Sequence, residues 1–540
     1  MKLKINSKRK IALIILIFLF IAGCFTQLYS TNTYYKMDKV EFYNLDEEEI
    51  SARYYKGSTN MGVFIANDLS ANAKDTWFMV EEFAKLGYSV YVFDYPSQGH
   101  SDGHIEFGYK QNEYLAEQYY SAIVAFSQMV KLNEENIHIV AVGESARTAL
   151  QTATKRFFNP KDLTLISTKT NILGKIDLDV INFVKEEDVT FMKELNASNP
   201  GENIHLITSN LNDQSSVKEN EALKSRLEQG KTGSPEENEV TLTVAQNVLP
   251  TNEITSSKII KETVSYIAQR DGYEYTPSKF LTLKTMLPAV LCIIAFFIIF
   301  LSYKITAKDY YKEKGTIPFN KEFVISKLLA VIPSLIMVFL LPVALYFLLS
   351  PIISIPYYTL VKLSLLSCYG MIIFYLYYRT NFACDIGSQI FYKDPKKNVK
   401  GGLIVALAVI AMLYLLSVAG CNVVFNITSI KIFWLILSTI LCYFIFYIEE
   451  REKEVMIATQ MQRFIMSCFN FLIIPIVAIV MLIMGQFSIA ISFMGLVFLL
   501  VFVLAVGKLL KAVDSPTRLN AFIQALILNA LILAQTVLFF

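Results

Sequence analysis

From about residue 283 to the C-terminus the chain is a succession of apolar stretches, each of about 19 to 26 residues, separated by short polar connections. A helix needs about 20 apolar residues to cross a hydrocarbon core of roughly 30 Å, so this half reads as an all-α polytopic transmembrane domain. Eight spans are expected, at about 283–303, 324–349, 356–378, 401–424, 430–448, 464–484, 488–507 and 519–540. Over all 540 residues 54% are hydrophobic and only 18% charged, too apolar for a soluble chain of this length. The net charge of +2 carries no footprint of a nucleic-acid partner; the partner implied is the lipid bilayer.

The basic residues set an orientation. Lys304, Lys308, Lys312, Lys314 and Lys321 fill the first connection; Arg379, Lys393, Lys396, Lys397 and Lys400 the third; Arg451, Lys453 and Arg463 the fifth; Lys508, Lys511 and Arg518 the seventh. The alternate connections contain none, and only Lys431 lies beside one. By the positive-inside rule the basic connections face the cytoplasm, and the segment before residue 283 lies outside it. Inside the spans ionisable residues are nearly missing, and Lys362 and Lys431 near the outer ends are expected to snorkel. In the last span Asn520, Gln524 and Gln535 share one face with Asn529 opposite, which fits hydrogen bonding between helices, with a polar binding cavity as the alternative.

At the N-terminus Lys2, Lys4, Lys8, Arg9 and Lys10 precede an apolar run from Ile11 to Cys24, the pattern of an export signal. It reads either as a signal anchor or as a lipoprotein signal peptide, in which Ile21-Ala22-Gly23-Cys24 resembles a bacterial lipobox and Cys24 would be lipidated. Of the seven cysteines, Cys292, Cys368, Cys384, Cys421, Cys442 and Cys468 lie in the apolar half at no metal-ligand spacing. No metal site, cofactor motif or disulfide framework is indicated. The expected domains are 1–29, 30–278 and 279–540.

The middle segment alternates short β-branched or aromatic runs with amphipathic helices, the mark of a mostly parallel sheet covered on both faces. Strands are expected near 39–43, 50–56, 61–66, 89–94, 137–142, 163–168, 203–209 and 240–246, and helices near 74–87, 111–131, 145–157, 214–229 and 253–270. Ser89 to Gly103, reading Ser-Val-Tyr-Val-Phe-Asp-Tyr-Pro-Ser-Gln-Gly-His-Ser-Asp-Gly, resembles the strand and loop of α/β-hydrolases of the serine aminopeptidase and monoacylglycerol lipase type. Ile137 to Ser145, a strand running into Gly143-Glu144-Ser145, resembles that family's nucleophile elbow. The resemblance covers about residues 35–272 and implies a doubly wound α/β-hydrolase-like fold.

It also assigns roles. Ser145 takes the nucleophile slot, with the alternative that it only caps the following helix. The backbone of Ala146 would be one oxyanion donor, with Asn67 in the segment Ala66-Asn67-Asp68 that replaces the family's His-Gly. Asp68 there would oppose an oxyanion, and Arg147 stands where the family has a second glycine. Asp213 takes the acid slot, or caps the next helix. The histidine slot, Asn247-Val248-Leu249-Pro250-Thr251, holds no histidine. His138 and His205 fall inside strands, whereas His100 and His104 lie on the loop after the fourth strand, so His100 is the candidate substitute base. A lid is expected at about 169–202, acidic at Glu186, Glu187 and Asp188.

Three functions follow: a serine hydrolase acting on an acyl ester, lipid or peptide at the outer membrane face; an inactive hydrolase-like domain that binds a ligand for a transport or sensing membrane domain; or a membrane assembly protein, which eight spans make the poorest fit.

Overall fold

The structure, a computed structural model, describes residues 2–30, 32–69, 71–105, 111–155, 158–170, 203–213, 215–229, 239–306, 317–318, 321–349, 352–355, 357–379, 398–419, 429–457, 460–484 and 486–533. The expected lid, Cys384, Cys421 and Gln535 lie outside these residues. The chain divides into one compact unit over Gln27–Pro288 and another over Met1–Thr26 with Ala289–Thr536.

The first unit is built on eight strands: β1 (Asp38–Tyr43), β2 (Glu49–Tyr55), β3 (Gly62–Ala66), β4 (Ser89–Phe93), β5 (Ile137–Val142), β6 (Asp162–Ile166), β7 (Asn203–Ser209) and β8 (Val240–Ala245), ordered β1-β2-β4-β3-β5-β6-β7-β8. β2 runs antiparallel to both neighbours, and every pair from β4 to β8 is parallel. This is the α/β-hydrolase sheet, and each strand lies within two residues of its expected place.

Strands β3 to β7 are buried along their whole length, as parallel strands covered by helices must be. Their alternation sorts two layers. Val63, Ile65, Val90, Val92, Val140 and Val142 face a cluster with Trp77, Phe78, Val80 and Phe83 of α3 (Trp77–Lys85) and with Ile260, Val264 and Ile267 of α7 (Ser257–Arg270). On the opposite face Phe64, flanked by Tyr91 and Phe93, packs against Tyr119 and Phe126 of α4 (Gln111–Val130), and Tyr91 stacks on Phe126. The remaining helices of this unit are α2 (Asn32–Lys36), α5 (Glu144–Thr154), which leaves β5, and α6 (Val217–Gln229). Because β3 to β8 share one direction, the segments after them all emerge at one sheet edge.

In the other unit the helices are α1 (Lys2–Ser30), α8 (Leu281–Thr306), α9 (Lys321–Leu349), α10 (Tyr357–Arg379), α11 (Val399–Val418), α12 (Ser429–Val455), α13 (Gln460–Asn470), α14 (Ile473–Ile483), α15 (Phe487–Ala512) and α16 (Thr517–Leu533). Seven of the described helices are long and apolar enough to cross a membrane. The stretch expected as one span at 464–484 is instead α13 and α14, bent by 59°. Pro475 explains the break: it removes the N–H that would bond the Phe471 carbonyl and crowds that carbonyl, yet it is tolerated in the first turn of α14.

Of the buried ionisable groups one, Lys327 of α9, falls within an expected span, while Glu449, Glu450, Arg451 and Glu452, which follow the expected span at 430–448, are buried at the end of the longer helix α12. Lys431 does not snorkel to water, being 3% exposed, while the Lys362 ammonium donates to Ser492 Oγ at 2.5 Å. Gln524 of α16 bonds the Glu450 carboxylate at 3.2 Å, a hydrogen bond between helices.

Candidate functional site

The turn from β5 into α5 is the centre of the sheet edge. Its strained residue is Gly143, with φ 61° and ψ −118°, a conformation costly for any residue bearing a side chain. In a hydrolase elbow the nucleophile occupies the strained position, which is what lifts its side chain clear of the sheet. Here that position has no side chain. Ser145 lies two residues further on, in the first turn of α5, and is fully buried.

Ser145 Oγ has two neighbours, the main-chain carbonyl of Asn67 and the Tyr95 hydroxyl at 2.8 Å. The carbonyl can only accept, so the single serine proton satisfies it and the Tyr95 hydroxyl supplies the proton of the second bond. Burial pushes the Tyr95 phenol well above its usual range, so it holds no negative charge with which to take a proton near neutral pH.

The elbow amide is occupied as well. Asp68, in the loop after β3, accepts the Glu144 N–H at 3.0 Å through Oδ1. That N–H follows the elbow residue and is the one a hydrolase offers to an oxyanion. A Cβ on Gly143 would meet Asp68 Oδ1 at 2.2 Å, so this carboxylate fills the space a nucleophile's side chain would enter. Lys169, from the segment after β6, lies 3.6 Å from Asp68 Oδ1 and 3.3 Å from Glu144 Oε1.

The other expected residues lie in the elements expected of them, with these surroundings. Ala146 is buried inside α5. The Asn67 side chain turns to β4, its Nδ2 donating to the Phe93 carbonyl at 3.0 Å. His100 is exposed, its N–H bonding Asp94 at 3.1 Å, and His104 lies 3.5 Å from Glu48; neither bonds Ser145. Asp213 is half-buried after β7. Its neighbour Asn212 reaches across instead, donating through Nδ2 to both oxygens of Glu253 at 3.0 and 3.2 Å. Cys24 is buried within the continuous helix α1.

Glu253, unanticipated from the sequence, stands just beyond the expected histidine slot. It is 4% exposed and also accepts from Ser167 Oγ. Burial pushes its carboxyl up to about 7, aided by Asp68 and opposed by the bonds from Ser167 and Asn212. Asp68, Glu144, Lys169, Ser167, Asn212 and Glu253 thus form the polar lining of the sheet edge. Among the described residues no group of three or more histidine, cysteine or acidic side chains could hold a metal ion.

At the opposite edge, His138 at the start of β5 is held between Asp162 Oδ2 at 2.7 Å and Asp271 Oδ2 at 2.9 Å. Asp271 also accepts from the Tyr88 hydroxyl at 2.6 Å and pairs with Lys161. Burial alone would lower the imidazole, but the two carboxylates override it and push it to about 9. His205 in β7 bonds Thr243 at 3.0 Å and packs on Tyr266, and burial lowers it to about 4. Both histidines in strands are therefore structural.

No family model and no curated protein matches the chain. Among solved structures it is similar to an esterase from Pyrococcus furiosus (17% identity, 44% of this chain and 91% of that one, TM-score 0.33). It is likewise similar to a CIB-like hydrolase from Thermoplasma acidophilum (12% identity, 44% and 99%, TM-score 0.32). A third is alpha/beta hydrolase domain-containing protein 10 from mouse (13% identity, 44% and 98%, TM-score 0.32). The strand order and the glycine-bearing elbow after β5 define the Gln27–Pro288 unit as an α/β-hydrolase-like fold.

Proposed function

We propose that the α/β-hydrolase-like unit is not a serine hydrolase but a binding domain, displayed at the outer face of a membrane and joined to a multi-pass helical unit that uses the binding event for transport or sensing. The observation that carries this reading is the elbow: Gly143 has no side chain to act as nucleophile, and the Asp68 carboxylate occupies the amide an oxyanion would need. Acyl transfer requires a nucleophile, a base and a site for developing negative charge. Here the nearest serine is buried, its hydroxyl neighbours are not basic, and the charge site already holds an anion.

The ligand would enter at the sheet edge, where open α/β folds bind. The three carboxyls of Asp68, Glu144 and Glu253, with one lysine, suit a small polar molecule bearing a cationic group. The full chain in detergent, assayed against short-chain and long-chain acyl esters and aminoacyl substrates, should turn over none of them faster than its Ser145→Ala variant. Turnover that vanishes in Ser145→Ala would return the reading to a serine hydrolase.

A further inference from the structure

The helical unit buries charge that the hydrolase-like fold does not explain, at the junction of α9, α12 and the broken pair α13–α14. Asn470, the last residue of α13, is fully buried, and its Nδ2 donates to Glu449 Oε2 and, at 2.8 Å, to Glu452 Oε2. Two buried carboxylates are thereby held on one amide nitrogen. Glu449 also accepts from Ser467 Oγ at 2.6 Å and pairs with Lys453, while Glu452 pairs with Lys327. Asn470 Oδ1, on the same amide and fully buried, has no hydrogen-bond partner. This acceptor belongs to the side chain whose nitrogen holds both carboxylates. A proton on either carboxyl would add an O–H donor to a cluster in which this acceptor has none.

The surrounding backbone favours the same charge. Helix α13 ends at Asn470, so its last carbonyls face this region with the partial negative charge of a helix C-terminus. One of them, that of Phe469, is compensated by the Tyr369 hydroxyl of α10 at 2.7 Å. In broken membrane helices such C-terminal ends recurrently help to hold a cation, and an ionisable group inside a helical membrane unit points to function before it points to stability.

We propose that Glu449 and Glu452, bridged by Asn470, bind one exchangeable proton; on the transport reading proposed above, that proton would be the coupling ion of the helical unit. Uptake forms one O–H bond on a carboxylate oxygen at the expense of a proton from bulk water, breaks no covalent bond in the protein, and adds one positive charge. The other titratable groups facing the pair are Lys327 from α9, Tyr369 from α10, Lys453 on α12 itself, Cys468 from α13 and Lys508 from α15. Proton binding by the pair stands whether or not the hydrolase-like unit is catalytic, and only its role in coupling rests on the transport reading.

The test is a pH-difference infrared spectrum of the purified full chain in detergent, read in the carbonyl-stretch region of protonated carboxyls between about pH 5 and about pH 9. A titrating band is expected that disappears in Glu449→Gln or Glu452→Gln, shifts in Asn470→Ser, and remains in Glu253→Gln, which removes the contribution of Glu253 in the same pH range. Spectra of Glu449→Gln and Glu452→Gln that both match the wild type would overturn the proposal. If neither glutamine variant folds, an unshifted wild-type band in Asn470→Ser would overturn it equally.

Discussion

Substituting Gly143 by alanine isolates the contact that separates this elbow from a catalytic one. The new Cβ would lie 2.2 Å from Asp68 Oδ1 and 2.5 Å from its Cγ, on a backbone with φ 61° and ψ −118°. Holding alanine there costs about 1–3 kcal/mol in backbone strain. Pushing the carboxylate off the Glu144 N–H removes a charge-assisted hydrogen bond of about 1.5–3 kcal/mol, and the part-exposed contact with Lys169 adds less than about 1 kcal/mol. Gly143→Ala should therefore destabilise the hydrolase-like unit by about 3–6 kcal/mol. In an Asp68→Ala background the hydrogen bond is already gone and the Cβ has room, so the same change costs the strain alone. The double variant should fall short of the summed single costs by about 1.5–3 kcal/mol. The chain has two tryptophans, and Trp77 lies in the core of this unit, so denaturant unfolding of full-length protein in a Trp434→Phe background reads it by fluorescence. Single costs that add to within about 0.5 kcal/mol would refute the placement of Asp68 against the elbow.

Two pH dependences follow from the buried groups. His138 is raised from its unfolded value to about 9, so its contribution is fully present below about pH 6.5 and lost as pH rises through about 9. The melting temperature should fall across that window, and the fall should flatten in His138→Asn, whereas an unchanged alkaline profile would contradict the Asp162–His138–Asp271 assignment. Glu253 is likewise raised, to about 7, so its stabilising effect is complete below about pH 4.5 and lost as pH rises through 7. Glu253→Gln should remove that slope while leaving the His138 window intact, and a slope that survives would place the responsible group elsewhere.

The sheet was legible because its cause is local. β3 to β7 are runs of Val, Ile, Leu and aromatics whose alternation already separates the α3/α7 layer from the α4 layer, and glycines and polar clusters punctuate them. The strained residue stands two positions before the serine that the Gly-x-Ser pattern puts in the nucleophile slot, because the pattern fixes a spacing whereas the strain falls on the first residue after β5. With β5 ending at Val142, that residue is Gly143, flanked at two residues on each side by the small Ala141 and Ser145. In this register Ser145 is the small residue that close packing of strand and helix needs, and Arg147, which seemed to violate the motif, no longer occupies a glycine position.

Glu253 is not legible in the sequence, because it lies two residues past the slot in which the family has histidine and its partners Ser167 and Asn212 come from two other loops. The buried charges of α12 had the same character. Glu449 to Glu454 follow an apolar run and read as a solvated connection, and only helices distant in sequence, carrying Lys327, Asn470, Lys511 and Gln524, turn that segment into an interior. Periodicity reports which residues are buried within an element, not which element covers its end.

The binding role proposed for this unit requires that no serine at the elbow be a nucleophile. A serine-reactive phosphonate, incubated with the folded full chain and mapped by peptide mass spectrometry, tests it directly. No adduct on Ser145 is predicted, and Ser145→Ala should leave the peptide map unchanged. A near-stoichiometric phosphonate adduct on Ser145 of folded protein would contradict the central claim.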